Sequence, residues 1–328
     1  MPTSIKPPSL GAENLARLFL QLAHLEKAGL PAADAFVLIA KNDPFLRKHL
    51  KTMPSRLRKG QKIAEAGYTT GLFDDNQRVL VTAGENSGKL ADVYTKLADF
   101  YGNDARRRKK MRSRLYLPAF VLILSFFVQP LPALVTAQIT IGSYLFDSLG
   151  QLLIMAAGIA LLLKMPDILT SIGQAALLHH WQMAFPPVAN WLVNRQLNSF
   201  YFMLAMMLDA GLAYSEALPQ AVASIKNSCL RKQFDPALVL TKSGTSVEES
   251  LAVVGCIKAS SLQIINTGEL SGQLPDTLLH FTRIDEETLA LQDEAFAEWL
   301  PRLVYTAIGL SIAYSILQQG LPTLPPIQ

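Results

Sequence analysis

The chain has 328 residues, half of them hydrophobic, with 30 basic against 26 acidic side chains and two cysteines. The net charge of +4 conceals a division, since residues 1–114 carry 21 basic and 11 acidic residues and the remainder 9 and 15. No aromatic-interleaved basic platform accompanies the excess, so nucleic acid is excluded as a partner.

Met1 to Ser9 is short, polar and proline-rich, which is no cleavable signal peptide, and residues 1–10 read as an N-terminal tail. From residue 11 apolar residues take helical spacing at Leu15, Leu18, Phe19, Leu22 and Leu25. Gly29 suits a left-handed helix stop and Pro31 the opening turn of a second helix, so an antiparallel pair is expected. The pattern restarts at Leu90, Val93, Tyr94 and Leu97, directly after Gly84-Glu85-Asn86-Ser87-Gly88-Lys89-Leu90.

That stretch resembles a phosphate-binding loop and fails as one. Such a loop requires glycine where Ala83 stands and a magnesium-holding hydroxyl where Leu90 stands, and Glu85 places an anion where phosphate would sit. The alternative is a tight connector between helices. Its glycines supply unusual backbone angles, Ser87 serves as a cap, and Glu85 bonds exposed amides. Docking of a partner on this edge is compatible with that role.

Between Leu115 and Leu163 there is no lysine or arginine, and Asp147 is the one acid. A helix needs about 20 apolar residues to cross the hydrocarbon core. Residues 115–165 therefore read as a transmembrane hairpin with spans at about 116–137 and 145–164. Pro118 is expected near the start of the first span, where a proline removes little hydrogen bonding, and Pro130 and Pro132 are expected to kink or end it. Arg106, Arg107, Arg108, Lys109, Lys110, Arg112 and Arg114 precede the first span and Lys164 follows the second, which places both flanks in the cytoplasm. The basic run also suits anionic headgroups, making membrane lipid an expected partner.

Residues 166–298 repeat the first segment. Gly268-Glu269-Leu270-Ser271-Gly272-Gln273-Leu274 answers the first motif, and Ala210-Gly211-Leu212 answers Ala28-Gly29-Leu30 at nearly the same offset along the chain. Leu300-Pro301 answers Leu117-Pro118 and leads into a third span at 299–319, leaving a tail at 320–328 on the outer side. Helical spacing recurs at Leu197, Phe200, Tyr201, Leu204 and Met207, and again at Leu274, Leu278 and Phe281. The fold class is therefore all-α, with two homologous cytoplasmic helical-bundle domains, 11–114 and 166–298, plus three transmembrane helices. Each copy is expected to fold as its own unit. The second motif replaces Lys89 with Gln273 while keeping Gly268, Glu269, Ser271 and Gly272, which removes the phosphate-binding lysine.

Other chemistry is sparse. His24, His49, His179, His180 and His280 are scattered, Cys229 and Cys256 lack metal-type spacing and read as reduced buried thiols, and no catalytic signature occurs. No cofactor, metal or catalytic residue is expected. Asp285, Glu286, Glu287, Asp293, Glu294 and Glu298 crowd before the third span, as a solvated face, a surface for a basic partner or a cation site. A transporter or channel with cytoplasmic regulatory domains is the alternative reading, but the spans offer mainly Ser125, Gln129 and Gln151 to line a pathway.

With the paired turns, the paired Gly-Glu-x-Ser-Gly-x-Leu motifs, the paired Leu-Pro entries and Phe185-Pro186-Pro187 with Asn194-Arg195-Gln196, the chain closely resembles the type II secretion F domain family, the inner-membrane platform proteins of type II secretion and type IV pilus machines. Ala213 departs from that pattern, standing where the first copy has proline. The resemblance implies a bacterial inner-membrane, multi-pass, non-enzymatic protein with its N-terminus cytoplasmic and its C-terminus periplasmic. It implies a cytoplasmic assembly ATPase, pilin or pseudopilin subunits and other inner-membrane assembly components as partners, and a homo-oligomer. The positions it marks as partner-binding are Gly84, Glu85, Ser87, Gly88, Gly268, Glu269, Ser271 and Gly272.

Overall fold

A computed structural model describes residues 10–128, 130–135, 140–171 and 186–319. The tails, His179, His180, Phe185 and the far end of the expected first span at 136–137 lie outside the described residues. Every element among those described is a helix, as the spacing predicts. In chain order they are α1 (Ala12–Lys27), α2 (Ala32–Asn42), α3 (Pro44–Leu50), α4 (Met53–Arg58), α5 (Ile63–Thr69), α6 (Asp75–Ser87), α7 (Leu90–Val128), α8 (Leu131–Val135) and α9 (Ile141–Ser171). There follow α10 (Pro186–Asp209), α11 (Tyr214–Ala223), α12 (Ser228–Lys232), α13 (Asp235–Lys242), α14 (Val247–Ala252), α15 (Ala259–Leu270) and α16 (Leu274–Gln319).

The chain divides into two compact units. The first holds residues 1–107 and 179–289, and the second 108–178 and 290–328. In the first, the buried stripe of α1 and that of α10 belong to one continuous hydrophobic cluster, which runs from Leu18, Phe19, Phe36 and Tyr94 to Phe200, Leu204, Leu218 and Leu278. Phe19 is enclosed by aromatic rings, Phe73, Tyr94 and Tyr101 all lying within 6 Å of it centroid to centroid.

Local rules explain the helix ends. Gly29 adopts φ +73 and Gly211 φ +91. The following amides, of Leu30 and Leu212, reach back to the carbonyls of Leu25 and Met207 at 3.0 Å, closing the six-to-one bond that left-handed glycine permits. Pro31 stands at the N-cap of α2, and its carbonyl accepts from both Asp34 and Ala35. Asp43 caps α3 through the amides of Phe45 and Leu46, and Asn227 caps α12 through those of Cys229 and Leu230. Asp74 and Gln77 form a reciprocal capping box at the head of α6.

Among the described residues α7, which begins in the first unit and ends in the second, is the helix long and apolar enough to cross a membrane. Pro118 falls inside α7 and Pro301 inside α16. The helix of each apolar stretch begins far upstream, at Leu90 and Leu274, so neither proline stands in a first helical turn, where little hydrogen bonding would be lost. A proline in mid-helix removes an interior amide from the ladder. α7 ends at Val128, ahead of Pro130 and Pro132. The Tyr144 hydroxyl of α9 then donates to the Phe127 carbonyl of α7 at 2.8 Å, tying the start of one helix to the end of the other.

Candidate docking surface

The Gly-Glu-x-Ser-Gly stretch is the end of one helix and the start of another, and each of its residues has a separate physical task. A Cβ on Gly84 would sit 3.0 Å from Val93 Cγ2 and 3.3 Å from Leu90 Cα, so its absence lets α6 lie against the first turns of α7. Gly268 is tighter, with Thr277 Cβ at 2.9 Å and Leu274 Cα at 3.1 Å. Gly88 and Gly272 then reverse the chain at φ +72 and +66, which disfavours any residue carrying a Cβ. Leu90 and Leu274 are both buried, so the reversal is anchored in the core at once.

Glu85 accepts from the amides of Ile63 at 2.7 Å and Ala64 at 3.1 Å, the first two residues of α5. Glu269 accepts from Val247 at 2.8 Å and Glu248 at 3.0 Å, the first two residues of α14. Both carboxylates thus neutralise a helix N-terminus from 21 and 22 residues away in sequence. The expectation that these glutamates bond exposed amides holds. The expectation that the serines act as N-caps does not: Ser87 donates to the Ala83 carbonyl at 2.8 Å and Ser271 to that of Gly268 at 3.1 Å. Each hydroxyl lies within the outgoing turn, where the acceptors are carbonyls, and so it ties the end of the preceding helix.

Behind the first motif, Glu26 is pushed above the usual carboxylate range by burial and then by the charge of Glu85. The Tyr94 hydroxyl is pushed well above its ordinary value, chiefly by burial and then by Glu26 and Glu85, and finds no hydrogen-bond partner among the described residues. In front of the motif lies an open cleft of about 350 Å³, bounded by Asn86, Thr82 and Arg78 on one side and by Leu212, Glu216 and Gln220 on the other.

Lys89 has a structural explanation of its own. Its ammonium donates to the Asp209 carbonyl at 3.0 Å, and Lys96 meets the Asp209 carboxylate at 2.5 Å. Phe100, one turn further along α7, stacks on Phe202 of α10 with centroids 4.3 Å apart. Spacing within one motif could not reveal Asp209, 120 residues away from Lys89.

The model of the type II secretion system (T2SS) protein F family matches residues 18–151 and again 200–322. The chain belongs to the type II secretion system protein F family. A type II secretion system protein F of Pseudomonas aeruginosa is 26% identical, over 96% of this chain and 83% of its own length. A protein transport protein HofC homolog of Escherichia coli is 26% identical over 90% of this chain and 79% of its own. A type IV pilus assembly protein PilC of Thermus thermophilus is 24% identical over 92% and 81%. Both motifs fall inside the matched residues.

Part of the acidic cluster is bonded within the chain, by asparagines at Asp285 and Glu286 and by basic side chains at Glu294 and Glu298. Asn103 donates to Glu286 at 2.7 Å and Asn198 to Asp285 at 3.1 Å. In the second unit Lys110 bonds Glu294, and Arg114 lies 3.5 Å from Glu294 and 3.9 Å from Glu298. Lys110 and Arg114 belong to the basic run that precedes the apolar stretch, so part of that run is matched by acids of its own protein. Among the described residues no group of His, Cys, Asp and Glu is placed to hold a metal ion. Cys229 and Cys256 are half-buried free thiols rather than fully buried ones.

Proposed function

We propose that this protein is the inner-membrane platform of a secretion or pilus machine, coupling a cytoplasmic assembly ATPase to the extraction of pilin-like subunits from the bilayer. The observation that carries the reading is the family match, which occurs twice and takes in both Gly-Glu-x-Ser-Gly motifs. Two matches fit a tandem duplication, with cytoplasmic domains at 11–114 and 166–298. The paired carboxylate caps support this, since Glu85, Ile63 and Ala64 are separated from their counterparts Glu269, Val247 and Glu248 by one constant offset.

The membrane reading is three spans, at about 116–137, 145–164 and 299–319, with the N-terminus cytoplasmic and the C-terminus periplasmic. It is supported by the apolar side chains of the second unit, where Phe120, Phe146, Leu153, Ile154 and Leu161 are each more than half exposed. Apolar surface on that scale calls for lipid or protein cover. The partner-binding edge is assigned to Gly84, Glu85, Ser87 and Gly88 with Gly268, Glu269, Ser271 and Gly272. There each motif joins a helix pair, and residues 86–89 and 270–273 are exposed.

The test is co-purification of the full chain, in detergent, with a cognate assembly ATPase. Retention by the wild type and loss with a folded Glu85→Ala, Glu269→Ala double variant is the expected outcome. Wild-type protein that never retains the ATPase removes the coupling. A folded double variant that still supports filament assembly reduces the motif to a connector.

A further inference from the structure

The helices α7 and α16 carry opposite charge in corresponding stretches. From Arg106 to Arg114 α7 has seven lysines and arginines and no acid, and from Asp285 to Glu298 α16 has six acids and no lysine or arginine. In the second unit Lys110 bonds Glu294, 184 residues away, the separation that also divides Glu85 from Glu269. Arg114 lies 3.9 Å from Glu298, at the same separation, and 3.5 Å from Glu294. On the proposed duplication each cation therefore meets the acid that occupies its own position in the other copy. From Lys110 to Arg114 and from Glu294 to Glu298 both helices advance four residues in the same direction, so here they run parallel and in register.

Two copies of one pattern pose a pairing problem. Shared spacing gives α7 and α16 similar faces, so each is also able to lie against its own counterpart in a second chain. In the observed register α7 on α7 would set Lys110 against Lys110 and Arg114 against Arg114. Likewise α16 on α16 would set Glu294 against Glu294 and Glu298 against Glu298. Only the unlike pairing opposes opposite charges at both levels. In parallel helix pairs, flanking charges of this kind set the choice of partner more than the strength of association. Exposure agrees with that role: the side chains of Lys110 and Glu298 are 59% and 61% exposed, where an ion pair adds little stability and is screened by salt. Glu294 nevertheless feels its partners. Its carboxyl is held below the usual range by the Lys110 hydrogen bond first, and by the charges of Lys110 and Arg114 after it.

We propose that this opposition of charge is a pairing code, in which the acidic face of α16 is a docking surface for the basic run of the same chain. It admits α7 and turns away a second α16, as α7 turns away a second α7. The stretch concerned is Lys110 to Arg114 with Glu294 to Glu298, and contacts between chains elsewhere are unaffected. Among the readings of the acidic cluster, Glu294 and Glu298 thus take that of a surface for a basic partner, with the partner inside the chain. The code follows from the repeat register of the preceding subsection and needs no ATPase or pilin, so loss of the platform reading leaves it standing.

The experiment uses the full chain in detergent. A carbodiimide, which joins an ammonium to a carboxylate in contact through an amide bond, is expected to link Lys110 to Glu294 within one chain, as read by peptide mass spectrometry. Lys110→Glu with Arg114→Glu sets acids against acids and is expected to lower the unfolding midpoint, as is Glu294→Lys with Glu298→Lys. All four substitutions together are expected to restore the midpoint and to return the link between positions 110 and 294 with the roles exchanged. A one-sided reversal that keeps the wild-type midpoint overturns the code, and so does a fourfold variant that fails to fold or to link. Rejection of like helices is read with Cys229→Ser, Cys256→Ser and Ser113→Cys, which leave one exposed thiol beside the paired charges. Disulfide formation between chains under oxidation is expected to rise several-fold once Lys110→Gln, Arg114→Gln, Glu294→Gln and Glu298→Gln are added. A yield that stays at its starting level overturns the rejection.

Discussion

The Lys96 ammonium stands 2.5 Å from the Asp209 carboxylate, and Lys89 donates to the backbone carbonyl of the same residue. A lysine that looks like part of a nucleotide loop thus serves to hold the two halves of the first unit together. On the proposed duplication Lys27 and Gln273 would stand where Asp209 and Lys89 do, so this pairing would not be made a second time.

Asp209→Ala is expected to lower stability by about 1 kcal/mol, the range of a partly exposed ion pair strengthened by hydrogen bonding. Lys96→Ala should cost a similar amount, and the double variant less than the two together. A double-mutant cycle from thermal or denaturant unfolding in detergent measures the coupling. Strict additivity would show that the pair contributes nothing.

Glu85→Ala removes both acceptors from the start of α5 and should cost about 2 kcal/mol, within the range for hydrogen bonds to a charged group. Glu85→Gln retains one good acceptor and should lose about half as much. Hydrogen exchange at Ile63 and Ala64 is expected to accelerate in the alanine variant ahead of the rest of the unit. The same pattern is expected at Val247 and Glu248 for Glu269→Ala.

Gly268→Ala is expected to be the more damaging of the two glycine substitutions. Its new methyl would meet Thr277 Cβ at 2.9 Å and the Leu274 backbone at 3.1 Å, whereas that of Gly84→Ala meets the Val93 side chain at 3.0 Å and the Leu90 backbone at 3.3 Å. Overpacking of this kind costs about 1–3 kcal/mol, against a gain of about 1 kcal/mol in helix propensity. Gly268→Ala should therefore lower the unfolding midpoint, and Gly84→Ala should lower it less. Equal midpoints would contradict the closer packing of α15 on α16.

Tyr94→Phe is expected to be neutral or stabilising. The ring fills the core between Phe19 and α6, and the hydroxyl has no partner among the described residues while facing the charges of Glu26 and Glu85. Removing an unbonded polar group from an apolar site recovers part of its desolvation cost, about 1 kcal/mol. An unfolding midpoint clearly below that of the wild type would reveal a hydrogen bond that the geometry does not show.

Glu26 gives a pH signature. Its folded pKa is raised above the unfolded value, by burial first and by Glu85 second. The folded state therefore binds the proton more tightly, and the resulting stability is fully present below the unfolded carboxylate range and is lost as pH rises through the folded value. Glu26→Gln should unfold at a higher temperature than the wild type at pH 7, with the difference shrinking as pH falls into the carboxylate range. A difference independent of pH would assign the effect to packing.

The local grammar of the motif was readable before any coordinates. Glycine at the stop of α1, acid next to glycine at the end of α6 and leucine after the second glycine are short-range signals, and each has a short-range cause. What the motif glutamates bond was legible only as a class of partner, since Ile63 and Ala64 become neighbours of Glu85 only once α5 and α6 have packed. The serines were misassigned because a hydroxyl beside a helix end can face either orphan amides or orphan carbonyls, and the backbone path decides which. That Pro118 lies mid-helix was not legible for a similar reason: helical spacing shows a face but does not show that one helix runs unbroken from Leu90 to Val128.

Sequence by itself determined the helical class, the register of the repeated motifs, the apolar stretches and the family, because these rest on periodicity, spacing and composition along one chain. Only the tertiary structure decided that Phe100 meets Phe202 and that Lys110 meets Glu294. Two copies of one pattern have the same local propensities, and which of their faces meet depends on a rigid-body placement that long-range packing sets.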